Sequence, residues 1–595
     1  MDVDLEKRIN ETIESMQQIL PEAVDIYRLD PMAKIMLVAL VSETAKIQDY
    51  ADGTLQRIVE RFCTDFIPRK EVNAMPAICL IQPQLNADND NPFVIETGAS
   101  FEYKSPMKDA QLKYIPIFNT TLLPYKDLFL VNHRQMSCRG GKTVVNIDMP
   151  NTLWIGITTP MEVNMLKGLS IMLKGTKGIV PEHVYAGADC TEIDFATMSE
   201  MEKIEMADPF DAQQVSGNFF SFIENWKENL QNISDVSLLY ITDSTKDRDL
   251  FKHRAYPRMF QKWLENETLD LFKQNTIWLR LDFPDGYVVP DDCTVSLGIV
   301  PVTNIEVNNV MLTQAQPIAK LQGEENSFFL DILETSTASN RQGFSMNKDD
   351  IIIRDFEANC YNNGDLYRDV RNLYNRFIDD YYAFIEYNGI KDGEVLKKLR
   401  ETINKLGKGV GMQNRQFMYD SGTYVMKNMN SSTAMMNTSV RFITTKGVLG
   451  NSPRIGEMME CKNLPGVEQK ATVVVSGMGG TDKASADERY ELLRYYSLTN
   501  DRLFTRMDID AFLRKEIIAE YGKEEFNRIY TKISVEGTGG EHGLRRGLYI
   551  DISFKDRNNY EHAVKISFDT LIRQRILNKS CISMPIIVTL KNLDN

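Results

Sequence analysis

The sequence predicts a multi-domain α+β protein, with N-terminal helices, β-rich middle domains, a central amphipathic helical pair and a C-terminal α+β unit. Three observations carry that prediction. The chain has 595 residues, several times the roughly 100–200 of one domain. Apolar residues recur at helical spacing in two separate blocks, near the N-terminus and near residue 370. Between and after those blocks lie short Ile-, Val-, Thr- and aromatic-rich runs bounded by Asn, Asp, Gly and Pro, the pattern of strands and turns. The expected segments are a helical region at 1–75, one or more β-rich domains at 76–300, a connecting segment and helical pair at 301–406, and a mixed domain at 407–595.

In the first segment Leu40, Ile47, Ala51, Leu55, Ile58 and Phe62 form one stripe. Asp30 before Pro31 supplies an N-cap and a proline at the first helical position. The helix should stop just before Pro68, whose ring disfavours helical geometry in the preceding residue. Strand-like pieces follow at 77–81, 114–118, 127–131, 143–149, 152–158, 237–242, 276–283 and 294–300, with helices expected near 219–229 and 259–272.

The second helical block carries Leu366, Val370, Leu373, Phe377, Tyr381 and Phe384 at spacings of 4, 3, 4, 4 and 3. Asn388-Gly389 breaks it, and Leu396, Leu399, Ile403 and Leu406 begin a second helix. Such a pair can close on itself or join a bundle with other chains, and spacing does not choose between them. Residues 407–439 read as loop. Thr505 with Asp508 three residues later opens a helix as a capping box, with Ile509, Phe512, Leu513 and Ile517 facing inward. A strand at 548–554, a helix at 568–577 and a last strand at 583–590 complete the chain.

Composition narrows the function. The chain is 43% apolar and 25% charged, as in folded globular proteins. A net charge of −15, from 68 basic against 83 acidic residues, argues against a polyanion such as nucleic acid as partner. The acidic start and the shortness of the apolar run at 35–41 give no signal peptide and no membrane-inserted segment. The eight cysteines are scattered without a CxxC pair, the usage of a reducing cytoplasm. The five histidines, His133, His183, His253, His542 and His562, lie far apart, without metal-ligand spacing. Asp88 and Asp90 mimic the start of a calcium loop, but Phe93 stands where a sharp-turn glycine belongs, so a solvated turn is expected. No catalytic constellation, cofactor site or metal site is expected.

Residues 537–547 hold five glycines (Gly537, Gly539, Gly540, Gly543, Gly547) and two arginines (Arg545, Arg546) in eleven positions. No Gly-Lys-Ser/Thr ends the run, His542 stands where a dinucleotide fingerprint needs glycine, and an alternating strand follows in place of a helix. The glycines are therefore expected to form a structural turn into the strand, with the arginines pairing acidic groups across a fold or subunit contact.

Two stretches resemble a known family. Residues 29–82 give an Asp-Pro helix, a proline-bounded turn and a strand entered through Met75-Pro76; the tail gives HGLRRGLYIDISF, a helix and SCISMPIIVTL. Both look like the TssF family, baseplate wedge subunits of type VI secretion systems, with this chain a divergent, Bacteroidota-like branch. TIWLRLDFP and LGIVPVTNIEVNNVMLTQAQPI, within 276–318, are similar in layout to the middle of that family, whereas 407–501 does not map onto it. The resemblance implies a structural, non-enzymatic role: a wedge formed with TssG and a second TssF copy, contacts with TssK and TssE and indirectly with the VgrG spike. It also implies a cytoplasmic baseplate docked by its partners at the inner membrane, and a share in anchoring the sheath-tube and triggering contraction. Firing requires interfaces with two packings, and the 366–406 pair is a candidate for one, contacting TssG and the second copy; burial within its own domain is the alternative. Two other functions stay open, a phage-tail-type wedge protein and a carbohydrate-binding or -processing β-rich module. Trp154, Trp226, Trp263 and Trp278 are too sparse to argue for the latter.

Overall fold

A computed structural model describes, apart from short internal stretches, residues 66–207, 217–242, 256–337, 351–356, 422–427 and 436–593, with isolated positions elsewhere. The protein is α+β, with strands in several separate sheets and helices at both levels of the chain. It divides into two compact units: one takes 69–354 and 423–484, the other 1–68, 355–422 and 485–595. These units interleave along the chain.

The larger unit is organised around a closed six-stranded barrel, in the order Ile78–Gln82, Val300–Thr303, Gln111–Pro116, Ser100–Lys104, Met458–Lys462 and Lys470–Met478. Lys470–Met478 returns to pair with Ile78–Gln82, so Leu80 lies between Pro301 and Val475. Closure removes the free edges that open sheets must protect. Cys79, Ile81, Phe101, Tyr103, Leu112, Tyr114, Val300, Val302 and Val473 fill the interior. Ile78 and Leu80 point the other way, into a core shared with Phe222 and Trp226 of the helix Gly217–Gln231. A strand buried on both faces has no polar side to show, which is why ICLI reads as a continuous apolar run.

Beside the barrel, a seven-stranded sheet ordered Thr191–Glu192, His183–Ala186, Thr276–Asp282, Thr152–Thr158, Asp127–Val131, Gln135–Cys138 and Gly141–Val144 faces a four-stranded one. Leu153, Ile155 and Ile157 alternate into the core between the sheets with Ile171, Leu239, Ile277 and Leu279. The intervening Trp154 and Trp278 point to the opposite face, where Phe260 and Phe272 cover them. Two short helices, Phe260–Trp263 and Asn266–Leu269, stand where one was expected.

The run at 294–300 splits into Thr294–Leu297 and Val300–Thr303, which belong to different sheets. Gly298 makes the switch at φ 69°, and a Cβ there would stand 2.9 Å from a Leu122 methyl. The stretch expected as loop at 407–439 contains the strand Gly422–Lys427 and enters Thr438–Thr445. Of the expected 143–149 strand only the start is used, in Gly141–Val144. In the N-terminal block Met32, Met36, Leu40, Thr44, Phe62 and Phe66 are helical and helix has ended by Ile67, one residue before Pro68. Leu40 and Phe62, two members of the expected stripe, are 64% and 47% exposed. The Asp30-Pro31 start lies outside the described residues.

Candidate assembly interface

The C-terminal part, 485–595, is built from capped helices against one small sheet. Ser485 accepts from the Glu488 amide while the Glu488 carboxylate accepts from the Ser485 amide at 2.6 Å, starting the helix Ala486–Thr499. Asn500, left-handed at φ 47°, ends it. The Thr505–Asp508 box expected from sequence is present in both arms and starts Arg506–Phe526. The Thr505 and Phe504 amides hold the Asp508 carboxyl below the usual carboxylate range. Ile509, Phe512, Leu513 and Ile517 are buried, as the spacing requires. The two helices are clasped by Arg514, which donates to both oxygens of the buried Glu491 at 2.7 and 2.8 Å and lies over the Phe526 ring.

The sheet pairs Ile529–Gly540 antiparallel with Gly543–Phe554, and Ile586–Asn592 parallel with the latter. Ile533, Leu548, Ile550, Ile552, Phe554 and Ile586 form its buried face. Tyr521 stacks edge-on against Phe554 and Phe568 there, and burial raises its phenol well above the ordinary value. The opposite face is polar. Asp551 accepts from Lys591 at 2.7 Å and from Thr589, and stands opposite Lys532 in the register. Lys591, then Thr589, keeps the Asp551 carboxyl below its usual range.

The glycine-rich segment is this sheet's hairpin. Gly540 and Gly543 are register partners, Gly539 pairs with Leu544, Thr538 with Arg545, Gly537 with Arg546 and Glu536 with Gly547. The glycines thus lie in paired strand arms, and the second arm starts at Gly543, five residues before the expected Leu548. The third strand reaches only Leu548, through the Leu548 amide to the Pro585 carbonyl at 2.9 Å. Residues 536–540 and 543–547 therefore extend beyond it as a two-stranded ribbon on which Gly537 and Arg546 are exposed. Leu366, Val370, Leu373, Phe377, Tyr381 and Phe384 lie outside the described residues.

Among the described residues, no group of three or more His, Cys, Asp or Glu side chains converges on a common point. His183 pairs Glu192 and His562 pairs Glu520, both at 2.8 Å and near the surface, while His253 and His542 lie outside the described residues. Asp88 and Asp90 are exposed on a turn. Trp154, Trp226 and Trp278 are buried to 1% or less and Trp263 is half-buried, so none of the first three offers a face to a sugar. A polar cavity of about 10 Å³ among Lys113, Asn304, Glu306, Glu324 and Lys446 has room for about one water. No described helix is long and apolar enough to cross a membrane.

Asn304 is one of the buried polar residues that sequence reasoning passed over. Its amide donates to the Lys113 carbonyl at 2.8 Å and its oxygen accepts from the Lys446 amide at 3.0 Å, tying three segments of the larger unit. Asn304 directly follows the barrel strand Val300–Thr303, where a buried side chain able to donate and accept can bridge backbones.

No family profile matches the chain, and no curated protein matches its sequence. Among solved structures, the chain is similar to one in the type VI secretion TssK-TssF-TssG baseplate subcomplex determined by cryo-electron microscopy, at 10% identity and a TM-score of 0.39, over 94% of this chain and 96% of that one. It is also similar to a chain of the baseplate complex from the type VI secretion system, at 10% identity and a TM-score of 0.33, over 100% of this chain and 97% of that one.

Proposed function

We propose that this chain is a structural, non-catalytic subunit of a contractile injection machine, a divergent TssF-type wedge protein of a type VI secretion baseplate. The observation that carries the reading is the tail motif Gly543-Leu544-Arg545-Arg546-Gly547 leading into an alternating strand, which resembles the family's C-terminal Gly-Leu-x-Arg-Gly strand. In this chain the motif forms one arm of an extended ribbon, a geometry suited to contact and not to enclosing a substrate. A scaffold joins partners through surfaces, and the partners in this reading are a TssG-type subunit, a second copy of the chain, and TssK- and TssE-type subunits, with the spike reached indirectly. The protein would work on the cytoplasmic side, where its partners dock the baseplate at the inner membrane.

The test is co-expression of the tagged chain with the products of neighbouring genes, followed by affinity purification and imaging of the complex. Recovery of TssG- and TssK-type proteins is expected. Changing Val370, Leu373 and Phe377 together to polar residues should abolish recovery of the TssG-type protein while the chain stays soluble. A chain that binds no TssG-type subunit but is retained by a glycan array would overturn the reading.

A further inference from the structure

Among the described residues nothing pairs with the outer edge of Ile529–Gly540, although the strand is twelve residues long and its inner edge is bonded throughout. A long unprotected edge is a template for another strand. Natural edges are usually blunted by proline, a bulge or an inward-pointing charge, and the segment IYTKISVEGTGG has no proline, pairs without a bulge and carries its charges on the solvent face.

The edge also has an internal symmetry. Lys532 and Glu536 lie two residues either side of Ser534 on the polar face, and Ile533 and Val535 lie one residue either side on the buried face. Antiparallel pairing of two copies about Ser534 would set Lys532 against Glu536 twice and Ile533 against Val535 twice. Each contact answers a feature that the single chain leaves open. Val535 belongs to the buried face, opposite the 4%-exposed Leu548, yet is itself 56% exposed. Across the polar face the charges run Lys591, Asp551, Lys532, and a carboxylate next in line continues the alternation. Glu536 has Gly547 opposite it, hence no charge across its own hairpin. The same register lays Gly537 beside Thr531 of the other copy, where the absent side chain lets two backbones approach.

We infer that the outer edge of Ile529–Gly540 is a docking edge for a second copy of this chain, joined about a two-fold axis at Ser534 into one continuous six-stranded sheet. The edge is isologous: the same residues serve both sides, and each substitution acts twice. The pairing draws on this edge alone, so it stands or falls separately from the recovery of a TssG-type partner.

The experiment measures the mass of the purified full-length chain by sedimentation across concentration, for the parent, Glu536→Lys and Lys532→Glu. A dimer is expected for the parent, with its dissociation constant raised roughly tenfold or more in either variant, because two attractive pairs become repulsive. An equimolar mixture of the two variants should recover the dimer, since each supplies the charge the other lacks. Lys532 also faces Asp551, so circular dichroism checks that its variant folds; if it does not, Glu536→Lys, which has Gly547 across the hairpin and gives up only the exposed hydrogen bond from Ser534 Oγ at 2.9 Å, decides alone. A parent that is monomeric throughout, a dimer indifferent to Glu536→Lys, or a mixture of folded variants no tighter than either alone would overturn the inference.

Discussion

Gly156 sits mid-strand in Thr152–Thr158, directly beneath an aromatic ring, and replacing it with alanine tests the packing of the seven-stranded sheet. A Cβ at this position would meet the Trp278 ring at 2.8, 2.9 and 3.1 Å. Comfortable carbon contacts begin near 3.5 Å, so the ring or the strand must move by roughly 0.7 Å. The ring has little freedom, being 1% exposed and held edge-on between Phe260 and Phe272 with centroids 4.9 Å away on each side. Overpacking of this kind costs about 1–3 kcal/mol. Alanine returns roughly 0.5–1 kcal/mol by restricting the unfolded chain, which leaves a net loss centred on about 1.25 kcal/mol. Hydrogen exchange on the full-length chain, read by mass spectrometry, should show amides of Thr152–Thr158 and Thr276–Asp282 exchanging roughly eightfold faster. Amides of Arg506–Phe526, in the other unit, serve as the internal control. Sheet amides that exchange as slowly as in the parent would refute the reasoning. Trp278→Leu in the Gly156→Ala background should cost less than the sum of the two changes, because the smaller side chain gives way to the new methyl.

Two further predictions concern the C-terminal unit. Arg514→Met strands the 4%-exposed Glu491 carboxylate, leaving only Arg494 at 3.9 Å, and should destabilise the helix pair by about 2–3 kcal/mol; Glu491→Gln, which strands no buried anion, should cost less, and exchange in Ala486–Thr499 reads both. Asp508 and Asp551 have carboxyls held below the ordinary range when folded, so their contribution is fully present above the unfolded value near pH ~4 and is lost as the pH falls through the lower folded values. Between about pH 6 and about pH 3, a window that spans that value, thermal melts should lose more stability in the parent than in Asp508→Asn.

Much of the local structure was legible because it follows from short-range chemistry. The strands Asp127–Val131 and Thr152–Thr158 match their expected bounds, and the Thr505–Asp508 box marks its helix start to the residue. What escaped was set by distance along the chain. Nothing near 294–300 says that its halves serve different sheets; that is decided by Gly298 and by the strands of 170–174 and 78–82 that claim each half. Glu306–Leu312 alternates in burial, but its partner Thr438–Thr445 is more than a hundred residues away, so 301–406 read as connection. For the candidate interface, composition located the glycine-rich segment and ruled out a phosphate loop. It did not show that the glycines occupy paired strands, because an alternating strand and its hairpin arm look alike once side chains are absent.

The barrel has a consequence for how the protein is made. Its first strand, Ile78–Gln82, is apolar on both faces and needs Val300–Thr303 on one side and Lys470–Met478 on the other. At ribosomal speeds of roughly 5–20 residues per second, the last of these emerges about 20–80 s after the first. For that interval a strand with no polar face waits for its neighbours, so a messenger truncated before residue 470 should yield a product that holdase chaperones retain. Release of the chain from those chaperones would then report that synthesis has reached the closing strand.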